Sequence, residues 1–232
     1  MRNTMIKKQA GKDLGIILSI SFIFAALYIF LGNSIIKYGR NGENSLLLRF
    51  IPVAAIQFGM AGLGLLIVKR KNKESFREYG LILNNVIWSV LGCLLVSVPT
   101  VLFLYFTNDI HGFLPFQGMF LTKPILHASM PWNILGYILI AIIWGFLEGI
   151  NYVIIAEKVN IRFPCKGKWL NCGALVCAII CILIHGMFRF DLKGIIEILA
   201  TFILMYGMIL VKEKTNNAWG CIAIFFVIWN AF

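Results

Sequence analysis

The sequence predicts an all-α membrane protein, a polytopic helix bundle with about seven transmembrane helices. Of its 232 residues, 60% are hydrophobic and only 13% are charged, and the mean hydropathy is +0.86. An average soluble domain has about 45–50% apolar and about 25% charged residues. The apolar residues are gathered into uncharged blocks of about 18 residues or more, the length at which a helix crosses a hydrocarbon core of roughly 30 Å.

Seven segments meet this description. The first resembles a signal peptide in its basic flank, but its apolar run is too long and no small-x-small cleavage site follows, so we expect it to stay as an anchor. Pro52 and Pro99 lie in the second and third segments, where neighbouring helices can satisfy the freed backbone groups. The predicted segments are 14–31, 46–68, 86–106, 132–156, 172–188, 194–211 and 218–232, of which the last is short.

The placement of positive charge predicts the orientation of the chain. A net charge of +11 would suggest nucleic acid in a soluble protein, but Lys and Arg lie between the apolar blocks, so we expect membrane lipids and no nucleic acid as partners. Cytoplasmic loops carry the excess of Lys and Arg. Alternate loops hold 15 and 6 of the 21, the 15 lying in 2–12, 69–77, 158–168 and 212–214. This predicts a cytoplasmic N-terminus, an outer C-terminus and a multi-pass protein of a bacterial plasma membrane.

The six cysteines show neither a CxxC pair nor a CxxH spacing. All but Cys165 fall in or beside apolar blocks, which favours buried, reduced thiols over a disulfide or a metal site.

A few polar residues interrupt the apolar segments. An ionisable group in hydrocarbon costs about 2.5–3.5 kcal/mol on insertion scales, so each is a candidate functional residue. Counted from the inner ends of their spans at about 1.5 Å per residue, Glu148, His185 and Asn230 lie roughly 12, 20 and 18 Å deep. We therefore predict that they form one polar layer. Gln57 and Glu197 are interpreted as structural polar residues, since one is neutral and the other lies near a helix end.

Such a layer has the groups needed for hydrolysis. A carboxylate and an imidazole that share a water can deprotonate it for attack on a carbonyl, and an amide side chain can donate to the resulting oxyanion. The sequence has no HExxH motif and only one His inside a span, so we expect no metal or other cofactor. A divalent metal held by Glu148 and His185 is the alternative left open.

The order of these residues resembles a family of intramembrane endopeptidases. Glu148-Gly149-Ile150-Asn151-Tyr152-Val153 lies in one segment, His185 in the next, and a Thr215-Asn216-Asn217-Ala218-Trp219 turn leads to Trp229-Asn230-Ala231-Phe232. The CAAX-protease and bacteriocin-processing (CPBP, or Abi) family has EExxxR, then FxxxH, then a Thr-Gly-Asn/Ser-x-Trp turn that leads to HxxxN. The likeness covers 132–232, which we take as a four-span core behind an N-terminal region, 1–131, of three spans and an outer loop.

The resemblance implies roles for particular residues. It implies that Glu148 is the base that activates water, that His185 shares this water and that Asn230 helps to hold the oxyanion. Three further residues in the matching motifs are predicted to bind substrate: Asn151, Tyr152 and Trp219.

The sequence also departs from the family pattern. Gly149 replaces the second Glu, Val153 the Arg, Cys181 the Phe and Phe225 the third-motif His, while Asn230 lies one residue beyond the family spacing. The main prediction is a glutamate-type endopeptidase that cleaves a membrane-presented peptide or lipidated protein. A catalytically degenerate relative that acts as a bacteriocin-immunity or regulatory protein is the first alternative. A small transporter with a proton relay through the Glu–His pair is the second, although the two halves show no convincing repeat.

Overall fold

The computed structural model describes residues 2–165 and 170–232, and within these residues it contains helices and loops but no strand. The predicted all-α class is confirmed. Lys166 and Lys168, which contribute to the charge count above, lie outside the described residues. The helices, in chain order, are α1 (Arg2–Arg40), α2 (Leu46–Asn72), α3 (Val86–Phe106), α4 (Thr122–Leu126), α5 (Trp132–Arg162), α6 (Cys172–Ile184), α7 (Leu192–Thr215) and α8 (Trp219–Val227).

Five of these helices, α1, α2, α3, α5 and α7, are long and apolar enough to cross a bilayer. The protein is therefore a membrane-embedded helix bundle. The other two predicted spans are shorter than expected. Helix α6 has 13 residues, and α8 has 9, which at about 1.5 Å per residue covers only about 14 Å of a roughly 30 Å core. The predicted number of seven spans is not confirmed.

Both short helices end for local reasons. Gly186 follows α6 with a φ of 65°, a left-handed conformation that favours glycine and closes helices. Its N–H donates to the Leu183 carbonyl. Beyond α8 the carbonyls of Asn230 and Ala231 accept the N–H groups of Gly118 and Leu114 at 3.1 and 2.9 Å. The end of the chain is therefore tied to the loop between α3 and α4 and does not continue as a helix.

Helix α5 lies at the centre of the bundle. In its most apolar window 72% of the residues are buried, compared with 11–39% in the other four long helices. Its residues Ile150 and Ile154 belong to a buried cluster with Ile17 of α1, Leu204 of α7 and Ile224 of α8. The N-terminal and C-terminal regions thus share one hydrophobic core.

Two of the long helices contain a π-helical turn, in which backbone hydrogen bonds join residues five positions apart and the helix is locally wider than an α-helix. One is Gly59–Leu63 in α2 and the other is Ala141–Leu147 in α5. Turns of this type are frequent at functional sites. The second ends directly before Glu148, so it sets the direction in which this side chain leaves α5.

Charged side chains join three helices at one end of the bundle. Lys158 of α5 lies 3.1 Å from Asp13 of α1 and 2.5 Å from Glu74, which follows α2. Both Lys158 and Asp13 are buried. At the opposite end Lys193 lies 3.1 Å from Asp109, and hydrogen bonds from Thr107 and Lys193 lower the pKa of this carboxyl. Charged side chains therefore pair at both ends of the bundle.

The structure corrects the prediction that all cysteines are reduced. Cys165 and Cys172 form a disulfide, with their Cα atoms 5.9 Å apart. Helix α5 ends at Arg162, three residues before Cys165, and α6 begins at Cys172, so the disulfide joins the end of one helix to the start of the next. The free cysteines Cys93, Cys177, Cys181 and Cys221 are buried.

We predict that Lys158→Met lowers the free energy of unfolding by about 3–5 kcal/mol, because it leaves Asp13 and Glu74 as unpaired carboxylates. Unfolding of the detergent-solubilised protein measures this change. Lys71→Met, which removes an exposed lysine from the same end, is the matched control. The double variant Asp13→Asn/Lys158→Met should recover part of the loss. A Lys158→Met protein as stable as the control would contradict the prediction.

Candidate functional site

A cavity of about 840 Å³ opens between α1, α2, α5, α6 and the loop before α4. Most of its lining side chains are apolar, such as Phe22, Ile56 and Leu183. A chamber of this kind, with a few polar groups on an apolar wall, is typical of a ligand or substrate site. The principal polar residues in its wall are Arg40, Gln57, Glu148, Asn151, Tyr152 and His185.

Glu148 is the buried carboxyl of this cavity. Its side chain is 7% exposed, and the Gln57 amide Nε2 donates a hydrogen bond of 2.9 Å to its Oε2. The other oxygen, Oε1, lies 3.7 Å from Nε2 of His185. This separation is too long for a direct hydrogen bond, and a water hydrogen-bonded to both atoms fits it. Glu148 and His185, which the sequence places in one polar layer, therefore lie close together.

Gln57 is a site residue that the sequence interpretation missed. It was interpreted as a structural residue, but it comes from α2 just before the π-helical turn Gly59–Leu63 and holds one oxygen of Glu148. The two residues are 91 positions apart. The position of Gln57 deep within an apolar segment is the sequence feature that could have identified it.

His185 lies at the end of α6 and not inside a longer span, because Gly186 ends the helix there. Its side chain is 33% exposed, since it faces the cavity. The ring packs edge-on against Trp229, with 4.9 Å between ring centroids. The indole thus limits the positions that the imidazole can take beside Glu148.

Asn151 and Tyr152, which are predicted to bind substrate, also line the cavity. Asn151 is 7% exposed, and its Oδ1 is buried with no hydrogen-bond partner among the described residues. Leaving a buried acceptor unpaired costs about 1–3 kcal/mol, and such groups are rare in native proteins. Tyr152 stacks on Phe225 with 5.6 Å between ring centroids.

Asn230 and Trp219 do not line this cavity. Trp219 is the first residue of the short helix α8, and Asn230 lies beyond its last residue, so the two residues are at opposite ends of it. The Asn230 carbonyl accepts from Gly118, and it is the adjacent Trp229 that contacts His185. The Trp219 N–H donates to Oδ1 of Asn217 at 2.9 Å. Of the six predicted site residues, the structure brings together Glu148, His185, Asn151 and Tyr152.

Packing fills the positions where this sequence departs from the CPBP pattern. Gly149 lies against α8, and a Cβ there would be 3.0 Å from the Ile222 Cα atom. Val153, Cys181 and Phe225 are each at most 1% exposed. These four positions therefore belong to the core between α5, α6 and α8.

No group of three or more His, Cys, Asp or Glu side chains is placed to hold a metal ion among the residues that the structure describes. Glu148 and His185 supply two ligands, whereas catalytic zinc sites in proteins use three.

Comparison of the chain with protein-family models, with curated proteins and with solved structures finds no match.

We predict that Gly149→Ala destabilises the protein by about 1–3 kcal/mol, because its Cβ would press on the backbone of α8. Gly15→Ala is the matched control: no atom lies within 4 Å of a Cβ at that position, and alanine favours a helix over glycine. Unfolding measurements on the two variants test this difference. Equal stability of the two would show that α8 can move away from α5.

Proposed function

We propose that this protein is an intramembrane endopeptidase of the glutamate type, similar to the CPBP family, that hydrolyses a membrane-presented peptide bond. One observation carries the proposal. The carboxyl of Glu148 and the imidazole of His185 lie 3.7 Å apart in the wall of a cavity of about 840 Å³ between apolar helices.

In the proposed reaction Glu148 is the general base. Its Oε1 accepts a proton from a water that also hydrogen-bonds to His185, and the water oxygen attacks the carbonyl carbon of the peptide. The proton then passes to the leaving amide nitrogen as the carbon–nitrogen bond breaks. Gln57 is a positioning residue, because its hydrogen bond to Oε2 leaves Oε1 to face His185.

The amide that stabilises the oxyanion in this proposal is Asn151. It lies three positions after Glu148, so both side chains lie on one side of α5, and both line the cavity. The sequence had favoured Asn230 for this role. Asn151 is the better candidate because it lines the cavity and Asn230 does not, and its Nδ2 carries the N–H groups that an oxyanion requires. A preorganised donor of this type typically contributes about 10²–10³ in rate.

The apolar wall indicates how a substrate reaches the site. Helices α1 and α6 border the cavity with apolar side chains such as Phe22, Ile29 and Leu183, all of which are exposed. A peptide or lipidated protein embedded in the bilayer could enter between these helices. The proposed reaction takes place in a cavity surrounded by membrane lipids and uses no cofactor.

A binding function without hydrolysis is the second candidate, and the packing around Gly149 favours it. The second Glu, the Arg and the third-motif His of the family are replaced by residues that form core contacts. In this alternative the same cavity holds a peptide for bacteriocin immunity or regulation, and Glu148 binds it by hydrogen bonding.

We further propose a bacterial plasma membrane with the N-terminus in the cytoplasm. The excess of Lys and Arg at the end that carries Asp13, Glu74 and Lys158 supports this orientation. The Cys165–Cys172 disulfide opposes it, since cytoplasmic thiols are ordinarily kept reduced.

Glu148→Gln should lower the cleavage rate by about 10²–10⁴ at unchanged expression, because the amide cannot accept the water's proton. The measurement compares N- and C-terminal peptides in membranes from cells that express each variant. Glu197→Gln, which changes another carboxyl within a membrane helix, is the control and should cleave normally. Termini that appear equally with Glu148→Gln would exclude Glu148 as the base. If no terminus differs while a phenotype such as bacteriocin resistance persists in the mutant, the result supports the binding function without hydrolysis.

For the orientation, we expect His111→Cys to react with a membrane-impermeant maleimide in intact cells and Lys71→Cys to react only after permeabilisation. Both side chains are exposed. Lys71 lies in the last turn of α2 and His111 in the loop after α3, and the charge count places these two segments on opposite sides. The reverse pattern of labelling would show that the N-terminus is outside.

A further inference from the structure

A second concave site lies at the end of the bundle that carries Asp13 and Lys158. It is a groove of about 600 Å³ between the first turns of α1 and the last turn of α5. We call it the basic groove, because four of its six lining residues are cations. Its residues are Thr4, Lys7, Lys8, Gly11, Lys12 and Arg162.

The shape of the groove depends on Gly11. A Cβ at this position would lie 3.1 Å from Nε of Arg162, so the missing side chain allows the guanidinium to approach α1 closely. Lys8 and Lys12 are one turn apart on α1 and therefore lie on one side of the helix, and Lys7 lines the same groove. Cations from two helices therefore surround one concave surface.

Among the residues that the structure describes, the charges of the basic groove have no acidic partners. None of Lys7, Lys8, Lys12 and Arg162 forms an ion pair within residues 2–165 and 170–232. At the same end of the bundle Lys158 pairs with Asp13 and Glu74, and Lys212 pairs with Glu157 and Glu213. The nearby acids are thus used by other lysines, and the groove retains its positive charge.

The depth of the groove points to the surface of a bilayer. The apolar part of α1 begins at 14, two residues after Lys12, and Arg162 is the last residue of the membrane helix α5. The groove therefore lies where the hydrocarbon segment ends, which is the level of lipid headgroups. Basic clusters at this level bind anionic headgroups.

We propose that the basic groove binds an anionic phosphate group at the membrane surface, such as the headgroup of an anionic phospholipid. The Arg162 guanidinium offers a planar pair of donors that matches two phosphate oxygens, and the lysines add point charges. The Thr4 hydroxyl can donate a further hydrogen bond. A phosphate held here joins α1 to α5 at a site distinct from the Glu148 cavity.

Native mass spectrometry of the purified full chain in a neutral detergent tests this site. The probes are phosphatidylglycerol and phosphatidylcholine with identical acyl chains, titrated separately. The test variant is Lys7→Gln/Lys8→Gln/Lys12→Gln. The control is Arg70→Gln/Lys71→Gln/Lys73→Gln, which removes three cations from the neighbouring helix end. A Lys7→Arg/Lys8→Arg/Lys12→Arg variant keeps the charge.

We expect the wild-type protein to prefer phosphatidylglycerol and the groove variant to bind it roughly 100-fold more weakly. The control and the arginine variant should stay within about threefold of the wild type. Equal losses of phosphatidylglycerol affinity in the groove variant and the control would show that binding depends on the total positive charge and not on the groove. That result would overturn the proposal. No loss in the groove variant would also overturn it.

A competition with inorganic phosphate separates the two sources of the ligand. If millimolar phosphate displaces phosphatidylglycerol from the wild type, the phosphate group alone is sufficient and the groove also takes the free ion. If it does not, a lipid with its acyl chains in the bilayer is the ligand. Either result supports the anion site, provided that the groove variant loses lipid and the control does not.

Discussion

The burial of helix α5 is the constraint on which the rest of this structure depends. With 72% of its apolar window buried, every polar side chain on it must find a partner inside the protein, because hydrocarbon offers none. At one end Lys158 is paired with Asp13 and Glu74. In the middle of the helix Glu148 accepts a hydrogen bond from Gln57 and faces His185. Between these two levels the Oδ1 of Asn151 has no hydrogen-bond partner among the described residues. This unpaired acceptor belongs to a residue of the cavity wall, three positions after Glu148.

The same burial accounts for the differences from the family pattern. Helix α8 approaches α5 closely at Gly149, where the backbone of Ile222 leaves no room for a second carboxyl. Phe225 stacks on Tyr152 where the family has an imidazole. Apolar packing has thus taken the place of the additional charged groups, and the candidate catalytic set is reduced to the residues that reach the cavity. A smaller set is consistent with slow hydrolysis or with binding alone, and the Glu148→Gln comparison separates these two functions.

Helix α1 connects the two candidate sites. Its middle part forms a wall of the Glu148 cavity, and its first turns form a wall of the basic groove. The contact between Gly11 and Arg162 and the ion pair between Asp13 and Lys158 hold these first turns against α5. A headgroup in the groove would add a third link between the two helices. Interactions at the bilayer surface thus add to the core contacts of Ile17 that hold α1 in place.

The sequence by itself determined the all-helical membrane class, the approximate positions of the five long apolar helices and two ionisable residues of the cavity, Glu148 and His185. These properties follow from hydropathy and from the cost of a charge in hydrocarbon, which act on each segment separately. Only the tertiary structure decided that Gln57 joins Glu148, that Asn151 and not Asn230 lines the cavity, that Cys165 and Cys172 are bonded and that α8 is too short to cross a bilayer. Each of these depends on a contact between residues that hydropathy treats independently, such as the pairing of Asn230 and Ala231 with the loop before α4. Hydropathy indicates how much of a segment is buried, but packing between segments determines which atoms meet.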